Sequence, residues 1–365
     1  MSAEGITYQY SPAGWNQEQF LALGGFTVVF LNYNKAAFIK NAVAAVLGQD
    51  YPLLEMFFMD DASTDGSGDV METLVRAYNG RHKVTVVRNS VNRHITGQWN
   101  LVAGLASGHW FGMFCADDIA YANRVTLTAQ EIAKYPDLLG ISCSGVEVNY
   151  ITGSRTRKIS TGIDSFVIDS AEPVDSLVKK WLVVVGATAF WHRSLFDKPL
   201  PQGPMDDEVI FYRLLTRRNG RIRVVYKFAA DVETISYAIG TGISTEGRIQ
   251  PGQNDSRRCR WIKDTIARKR QARLYVRTWT GILQGVDFQT ASNEMKGFAV
   301  RRLFLEKITA FTTLTRLGIL PALMVEICRR RLSPGMKVGI VQCWFKKFLR
   351  ELLGLHVAAL GELLR

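Results

Sequence analysis

Short apolar runs recur along the N-terminal part of this chain, each closed by polar turn residues and followed by a helical stretch. That rhythm leaves few folds open. The runs are Thr27–Leu31, Met56–Met59, Val84–Val87, Trp110–Cys115 and Leu139–Cys143. Continuous apolar runs of this length read as strands buried on both faces. Helical patterns lie between them: from Asn34-Lys35 to about Leu47, then to about Asn79 behind the caps Ser63-Thr64-Asp65, then Gly97–Ala106 and Ala122–Lys134. Repeated βαβ units at this spacing predict an α/β fold, a mostly parallel sheet with helices on both faces. Residues 1–24 form a polar lead-in without an assigned structure, and residues 145–185 are less regular, with short strands expected.

Three Asp-Asp pairs punctuate this pattern: Asp60-Asp61, Asp117-Asp118 and Asp206-Asp207. The first two close predicted strands, and ligands of open α/β sheets bind at the carboxyl ends of such strands. The third opens a helix expected over Asp206–Arg218, ahead of a strand over Ile222–Tyr226. Adjacent carboxylates repel wherever they are poorly solvated. A divalent cation or a sugar-nucleotide explains them better than a structural role does. At the same edge, Tyr33 is a strand-end aromatic and Asp61 a strand-end carboxylate, types that can stack on a ring and accept from an N–H. Asp60 is assigned to support, for example by capping the next helix. Plainer readings stand beside these: a core tyrosine at 33, a solvated acidic turn at 117–118, and at 206–207 carboxylates favoured by a helix dipole.

Other chemistries find no foothold. The sequence has no GxxxxGK[ST] loop, no HExxH and no GxSxG, and its five histidines have no paired metal spacing. Asp65-Gly66-Ser67-Gly68 lacks the third glycine of a dinucleotide fingerprint and reads as helix-start turn chemistry. Cysteines 115, 143, 259, 328 and 343 are odd in number and scattered, which suits reduced thiols and a cytoplasmic setting. The N-terminus shows no signal-peptide pattern, and no uncharged apolar run is long enough to span a membrane.

Charge divides the chain. Residues 256–365 hold 22 Lys/Arg against 7 Asp/Glu, a balance of +15 within a net charge of +12, so the rest is slightly acidic. A loop at Gly240–Ser244 marks the boundary, giving an extension over 1–24, a catalytic domain over 25–245 and a helical basic region over 246–365. Near the C-terminus, Trp344, Phe345, Phe348, Leu349, Leu352, Leu360 and Leu363 recur at helical spacing among Lys346, Lys347 and Arg350. Such a segment suits either a peripheral contact with an anionic membrane surface or packing within the protein.

Taken together, Leu31-Asn32-Tyr33-Asn34, Gln49-Asp50-Tyr51-Pro52, Asp60-Asp61-Ala62-Ser63-Thr64-Asp65-Gly66 and Cys115-Ala116-Asp117-Asp118 resemble the family-2 glycosyltransferases of the GT-A fold. The resemblance runs from residue 26 to about 245, through Gly186-Ala187-Thr188 to Met205-Asp206-Asp207-Glu208 and Arg213. It implies donor contacts from Leu31, Tyr33, Asp61 and Asp117, the last on the ribose. It also implies Mn²⁺ or Mg²⁺ held by Asp118, and Asp207, beside Asp206, as the general base of an inverting transfer. The implied donor is a nucleotide-diphosphate sugar, with UDP foremost, and the implied acceptor a saccharide or lipid-linked carrier in surface polysaccharide synthesis. Two departures stand out. Cys115 occupies a place where many members carry Asp, and Tyr237-Ala238-Ile239-Gly240 replaces a Tyr-Arg-x-His-like stretch. Arg257-Arg258-Cys259-Arg260-Trp261 matches the Q-x-x-R-W motif of processive synthases only faintly, and without membrane spans a non-processive enzyme is expected. The rival readings are a sugar nucleotidyltransferase, a catalytically inert nucleotide-sugar binder, and a nucleic-acid binder using the basic tail. The first lacks its Gly-rich loop after the first strand. For the last, the tail's aromatics that could stack on bases are few and mostly in apolar faces, so nucleic acid is not expected as a partner.

Overall fold

A computed structural model describes residues 5–143, 146–149, 155–157, 165–173, 176–177, 186–201, 206–217, 219–225, 235–239 and 272–310. Within it, β2 (Phe26–Asn32), β3 (Glu55–Asp60), β4 (Lys83–Arg88) and β5 (Trp110–Cys115) run parallel in the order β4-β3-β2-β5. The sheet continues past β5 with β11 (Ala189–His192) antiparallel, then β7 (Gly140–Cys143), β12 (Arg221–Val225) and an antiparallel edge strand β10 (Ser165–Asp169). A smaller sheet joins β6 (Ile119–Ala120), β13 (Ile235–Ile239), β8 (Val146–Asn149) and β9 (Arg155–Arg157). The mostly parallel sheet covered on both faces is the architecture that the apolar runs lead one to expect.

Alternation along the strands divides the interior in two. Phe26, Val28 and Phe30 point with Met56, Phe58, Val84 and Val86 into one core. There α2 (Ile39–Leu47), α3 (Ser67–Arg76) and α5 (Arg124–Lys134) cover them with residues such as Val43, Met71 and Val125. Val29, Leu31, Phe57 and Met59 face the opposite core, built on Trp99 of α4 (His94–Leu105) and on Ile210 and Leu214 of α6 (Asp206–Thr216). Every residue of β2 and β3 is buried, as strands covered on both faces require. Trp279, Ile282, Met295 and Phe298, from helical residues 272–284 and the helix Asn293–Ala310, complete this second core. The described part of the basic C-terminal region, within residues 272–310, is therefore packed against α6. Among the described residues no helix is long and apolar enough to cross a membrane. The amphipathic stretch over 344–363 and the loop at 240–244 lie outside the described residues.

Two local outcomes differ from the sequence expectation. The lead-in contains β1 (Ile6–Tyr10), which pairs antiparallel with β4 and forms the sheet edge, and α1 (Gln17–Ala22), capped by Asn16. Helix α3 begins only at Ser67, because Gly66 at φ 81° turns the chain immediately before it. Gly68 then sits so close to Asp60 that a Cβ would come within 2.7 Å of that carboxylate.

One buried group reports on this packing through pH. His82 is almost fully buried, its Nε2 lies 3.1 Å from the Gln49 carbonyl, and its Nδ1 is without a partner. The carbonyl assigns the proton of the neutral ring to Nε2. A second proton on Nδ1 would be a buried N–H with nothing to accept it. Burial accordingly pushes the His82 pKa down to about 4, with the Gln49 contact opposing. Between the unfolded value of ~6.5 and the folded value, the unfolded chain binds more protons. His82 thus costs stability progressively as pH falls through that window, and costs nothing above it. Melting temperature should drop from pH 7 to pH 4.5, and His82→Gln should flatten part of that drop. Identical pH profiles for the two proteins would refute the assignment.

Candidate functional site

The carboxyl ends of β3, β2 and β5 lie side by side, and the first two Asp-Asp pairs are carried there. Register makes Asn32 the neighbour of Asp60, and Asp60 the neighbour of Arg88. Asn32 Nδ2 donates to Asp60 Oδ1 at 2.7 Å and to Ser67 Oγ at 2.9 Å, while Arg88 Nε donates to Asp60 Oδ2 at 3.2 Å. Asp60 is 1% exposed. A carboxylate so buried requires partners of this kind, which gives Asp60 the supporting role expected of it. It does so through the strand ends rather than as a helix cap.

Asp61 faces differently. The Asn89 side-chain amide at 3.0 Å and the Arg93 backbone N–H at 2.8 Å both donate to its Oδ1. Among the described residues neither contact uses Oδ2, which leaves that oxygen to accept from a ligand. Leu31 is buried and Tyr33 exposed on the turn after β2, so the core-tyrosine alternative does not hold. The non-glycine residues with left-handed backbone among those described are Asn34, Ala62 and His94, at φ 53°, 62° and 59°. All three follow β2, β3 or the β4–α4 loop at this edge. Asn and His are the more tolerated there, but Ala is strained in it, and such strain collects at functional sites.

Beyond β5, Asp117 and Asp118 are buried, and the carboxylate oxygens and Cys115 Sγ lie within 4.8 Å of one another. Lys35 Nζ reaches Asp117 Oδ2 at 2.8 Å. Behind them Arg124 is wholly buried. Its Nη2 donates to the carbonyls of Met113 and Ala187, both at 2.8 Å, and its guanidinium lies 4.0 Å over the Phe114 ring. Burial pulls the Arg124 pKa down to about 10, opposed by the nearby Cys143, Asp118 and Cys115. The acidic turn is thus not simply solvated. It is backed by one cation and bridged by another.

The Gln49-Asp50-Tyr51-Pro52 segment braces this turn from below. Gln49 Nε2 donates to the Tyr121 carbonyl at 2.8 Å, the Val125 N–H donates to Gln49 Oε1 at 3.3 Å, and the Asp50 N–H donates to the Ala122 carbonyl at 2.9 Å. Asp206 and Asp207 open α6, and their side chains lie outside the described residues. What holds α6 is clear. Arg213, wholly buried, donates to the carbonyls of Leu195, Lys198 and Pro199 and pairs with Asp287 Oδ2 at 2.8 Å. The arginine matched by resemblance is therefore an anchor for the helix.

Sequence reasoning missed Lys35, Asn89, the Arg93 amide and Arg124. Lys35 follows the Tyr33-Asn34 motif directly and was within reach of inspection. Arg124 carries no local signal, since an arginine on a helix ordinarily faces solvent.

An α/β domain with acidic residues gathered at the carboxyl ends of neighbouring parallel strands is a nucleotide-binding architecture. Residues 27–198 match the model of glycosyl transferase family 2. Among curated relatives, glycosyltransferase GlyG of Streptococcus pneumoniae is 26% identical over 106 residues, 29% of this chain and 34% of that protein. Such aligned stretches cover between 25% and 35% of the curated relatives' lengths. Among solved structures, S. aureus TarS 1–349 with UDP-GlcNAc gives a TM-score of 0.48 at 13% identity, covering 79% of this chain and 82% of that one. A Pyrobaculum calidifontis mannosyltransferase with GDP-Man and Mn²⁺ gives 0.46 at 15%, covering 89% and 86%.

The two aspartates of the first pair separate experimentally. Asp60→Asn places an NH₂ donor where Asn32 or Arg88 already donates, and should cost on the order of 2 kcal/mol or more in urea unfolding. Asp61→Asn keeps an oxygen for Asn89 and Arg93 and should cost well under half of that. Equal losses would contradict the division of roles.

Proposed function

We propose that this protein transfers a sugar from a nucleotide-diphosphate sugar, a UDP-sugar foremost, to a saccharide or lipid-linked acceptor in surface polysaccharide synthesis. The observation that carries the reading is the convergence of Asp61 and of Asp117-Asp118 on the carboxyl ends of three adjacent parallel strands. The match of residues 27–198 to the glycosyl transferase family 2 model supports it. Tyr33 stacks on the nucleobase, Asp61 Oδ2 accepts the base N–H, and Leu31 lines the base edge. Asp117 contacts the ribose.

Asp118, with Asp117 beside it, would hold a divalent cation, Mn²⁺ or Mg²⁺. The carboxylate oxygens suit a hard ion, and their mutual spacing within 4.8 Å suits a single one. When bound, the cation offsets the negative charge that develops on the departing nucleoside diphosphate. Cys115 softens the donor set relative to the aspartate found there in many relatives, without removing either carboxylate.

For the chemistry, Asp207 takes the proton from the acceptor hydroxyl as that oxygen attacks the anomeric carbon. The bond from that carbon to the diphosphate breaks on the opposite face, and configuration inverts. Asp206 sits beside it at the helix start, where its charge raises the proton affinity of Asp207. Transfer is non-processive, and the basic C-terminal region meets an anionic membrane surface or a phosphorylated acceptor.

Asp118→Asn should abolish transfer with an unchanged melting curve, because a neutral amide is a poor ligand for a hard cation, and EDTA should silence the wild type equally. Full activity in EDTA would end the metal assignment. Asp207→Asn should lower turnover by ~10²-fold or more with nucleotide affinity nearly unchanged. If turnover were retained, the carboxylates at the start of α6 would be serving the helix dipole alone.

A further inference from the structure

Lys35 stands on a turn that is fixed from outside. Asn34 adopts left-handed backbone, its N–H donates to Ser63 Oγ at 3.0 Å, and its Oδ1 accepts from the Thr64 N–H at 2.8 Å. The Ala36 N–H donates to Asp65 Oδ2 at 2.8 Å. Asp65 in turn holds Ser67, the residue that Asn32 bonds beside Asp60. The Cα of Lys35 is therefore tied to the buried end of β3. Its flexible stem places Nζ at 2.8 Å from Asp117 Oδ2, with 20% and 11% of the two side chains exposed.

An ion pair on open surface would mean little. This one is half sequestered, and its carboxylate belongs to the group formed by Cys115, Asp117 and Asp118. One of two adjacent negative charges is thus already neutralised by the protein's own cation. A divalent ion among the same oxygens would stand within a few ångströms of the ammonium, and like charges at that range in a poorly solvated site repel strongly.

We propose that Lys35 is the resident counter-charge of the acidic turn. It competes with the divalent cation for Asp117 while no donor is bound, and it moves onto the donor's diphosphate when cation and donor arrive together. Cation binding thereby depends on the nucleotide. A lysine suits this exchange because its ammonium is a compact point charge on a rotatable stem, whereas a guanidinium would lock onto the carboxylate as a fork. This deepens the transferase reading and rests on its cation site.

The test is Mn²⁺ binding to the full chain, followed by the paramagnetic resonance signal of free Mn²⁺, with Mn²⁺ alone and then with UDP or GDP. Wild type should bind Mn²⁺ weakly alone and much more tightly with the nucleotide. Lys35→Met should bind Mn²⁺ alone about tenfold or more tighter than wild type, yet bind the nucleotide more weakly. Lys35→Gln should behave in the same way and guards against a packing artefact of methionine. Opposite shifts in the two affinities are not what a merely structural lysine would produce. Unchanged or weaker Mn²⁺ binding by both variants, with binding still lost in Asp118→Asn, overturns the role of Lys35 and leaves the cation site standing. Absence of Mn²⁺ binding in every protein, with or without nucleotide, overturns the cation site itself and this role with it.

Discussion

The buried carboxylate of Asp60 is the interaction on which the rest of the binding edge depends. Three parallel strands in register bring Asn32, Asp60 and Arg88 onto one rung, and one nearly inaccessible charge joins them. Such a charge is tolerated only when hydrogen-bonded and paired, so the partners cannot drift without a large penalty. Ser67 is drawn in through Asn32, and Gly68 packs against the carboxylate where any side chain would collide. The loop 63–67 then locates the turn at 34–36, and with it Lys35. The candidate ligand-facing groups here inherit their positions from a residue buried behind them.

The second support is less local. The Asp117-Asp118 turn hangs from β5 and is held by two long-range braces. Gln49 and Asp50 reach it from the α2–β3 loop, and Arg124 ties the Met113 carbonyl to that of Ala187. This explains why Gln49-Asp50-Tyr51-Pro52 recurs in the resemblance although it carries no ligand-type chemistry. Its side-chain amide donates to the Tyr121 carbonyl and accepts from the Val125 N–H, fixing the segment that leads from the acidic turn into α5. On the far face, Arg213 does for α6 what Asp60 does for the strands, gathering three carbonyls and Asp287 around one wholly buried charge.

The central strands were legible because burial on both faces writes itself as an uninterrupted apolar run. The apolar run Trp110–Cys115 coincides with a strand at both ends. The edge was not legible. In β1, Ile6, Tyr8 and Tyr10 are only half-buried between exposed neighbours, and the strand's partner lies far along the chain, so the pattern carried no local mark. The start of α3 was misplaced for a similar reason. Asp65 reads as a cap, and it does accept from the Ser67 N–H, yet Gly66 sets the helix start and the other Asp65 oxygen serves Ala36. Lys35 and Arg124 acquire meaning only from distant partners, which no spacing rule encodes.

Charge placement separates the two halves of the molecule more sharply than the fold does. The +15 of residues 256–365 is the dominant electrostatic feature of the sequence, but its influence on exposed groups decays within a Debye length of roughly 10 Å at 0.1 M salt. The binding edge does not rely on it. Lys35, Arg88 and Arg124 all come from residues before 125, and each meets its acidic neighbours at short range and partly or wholly out of water. Pairs so placed are screened far less than surface charge. The edge can therefore keep its internal balance of two carboxylate pairs and three cations while the tail responds to ionic strength. A phosphorylated or membrane-borne acceptor would feel the tail, whereas the donor would be met by the local cations. Under the proposed reading, acceptor encounter would then vary with salt without disturbing the geometry that Asp60 sets.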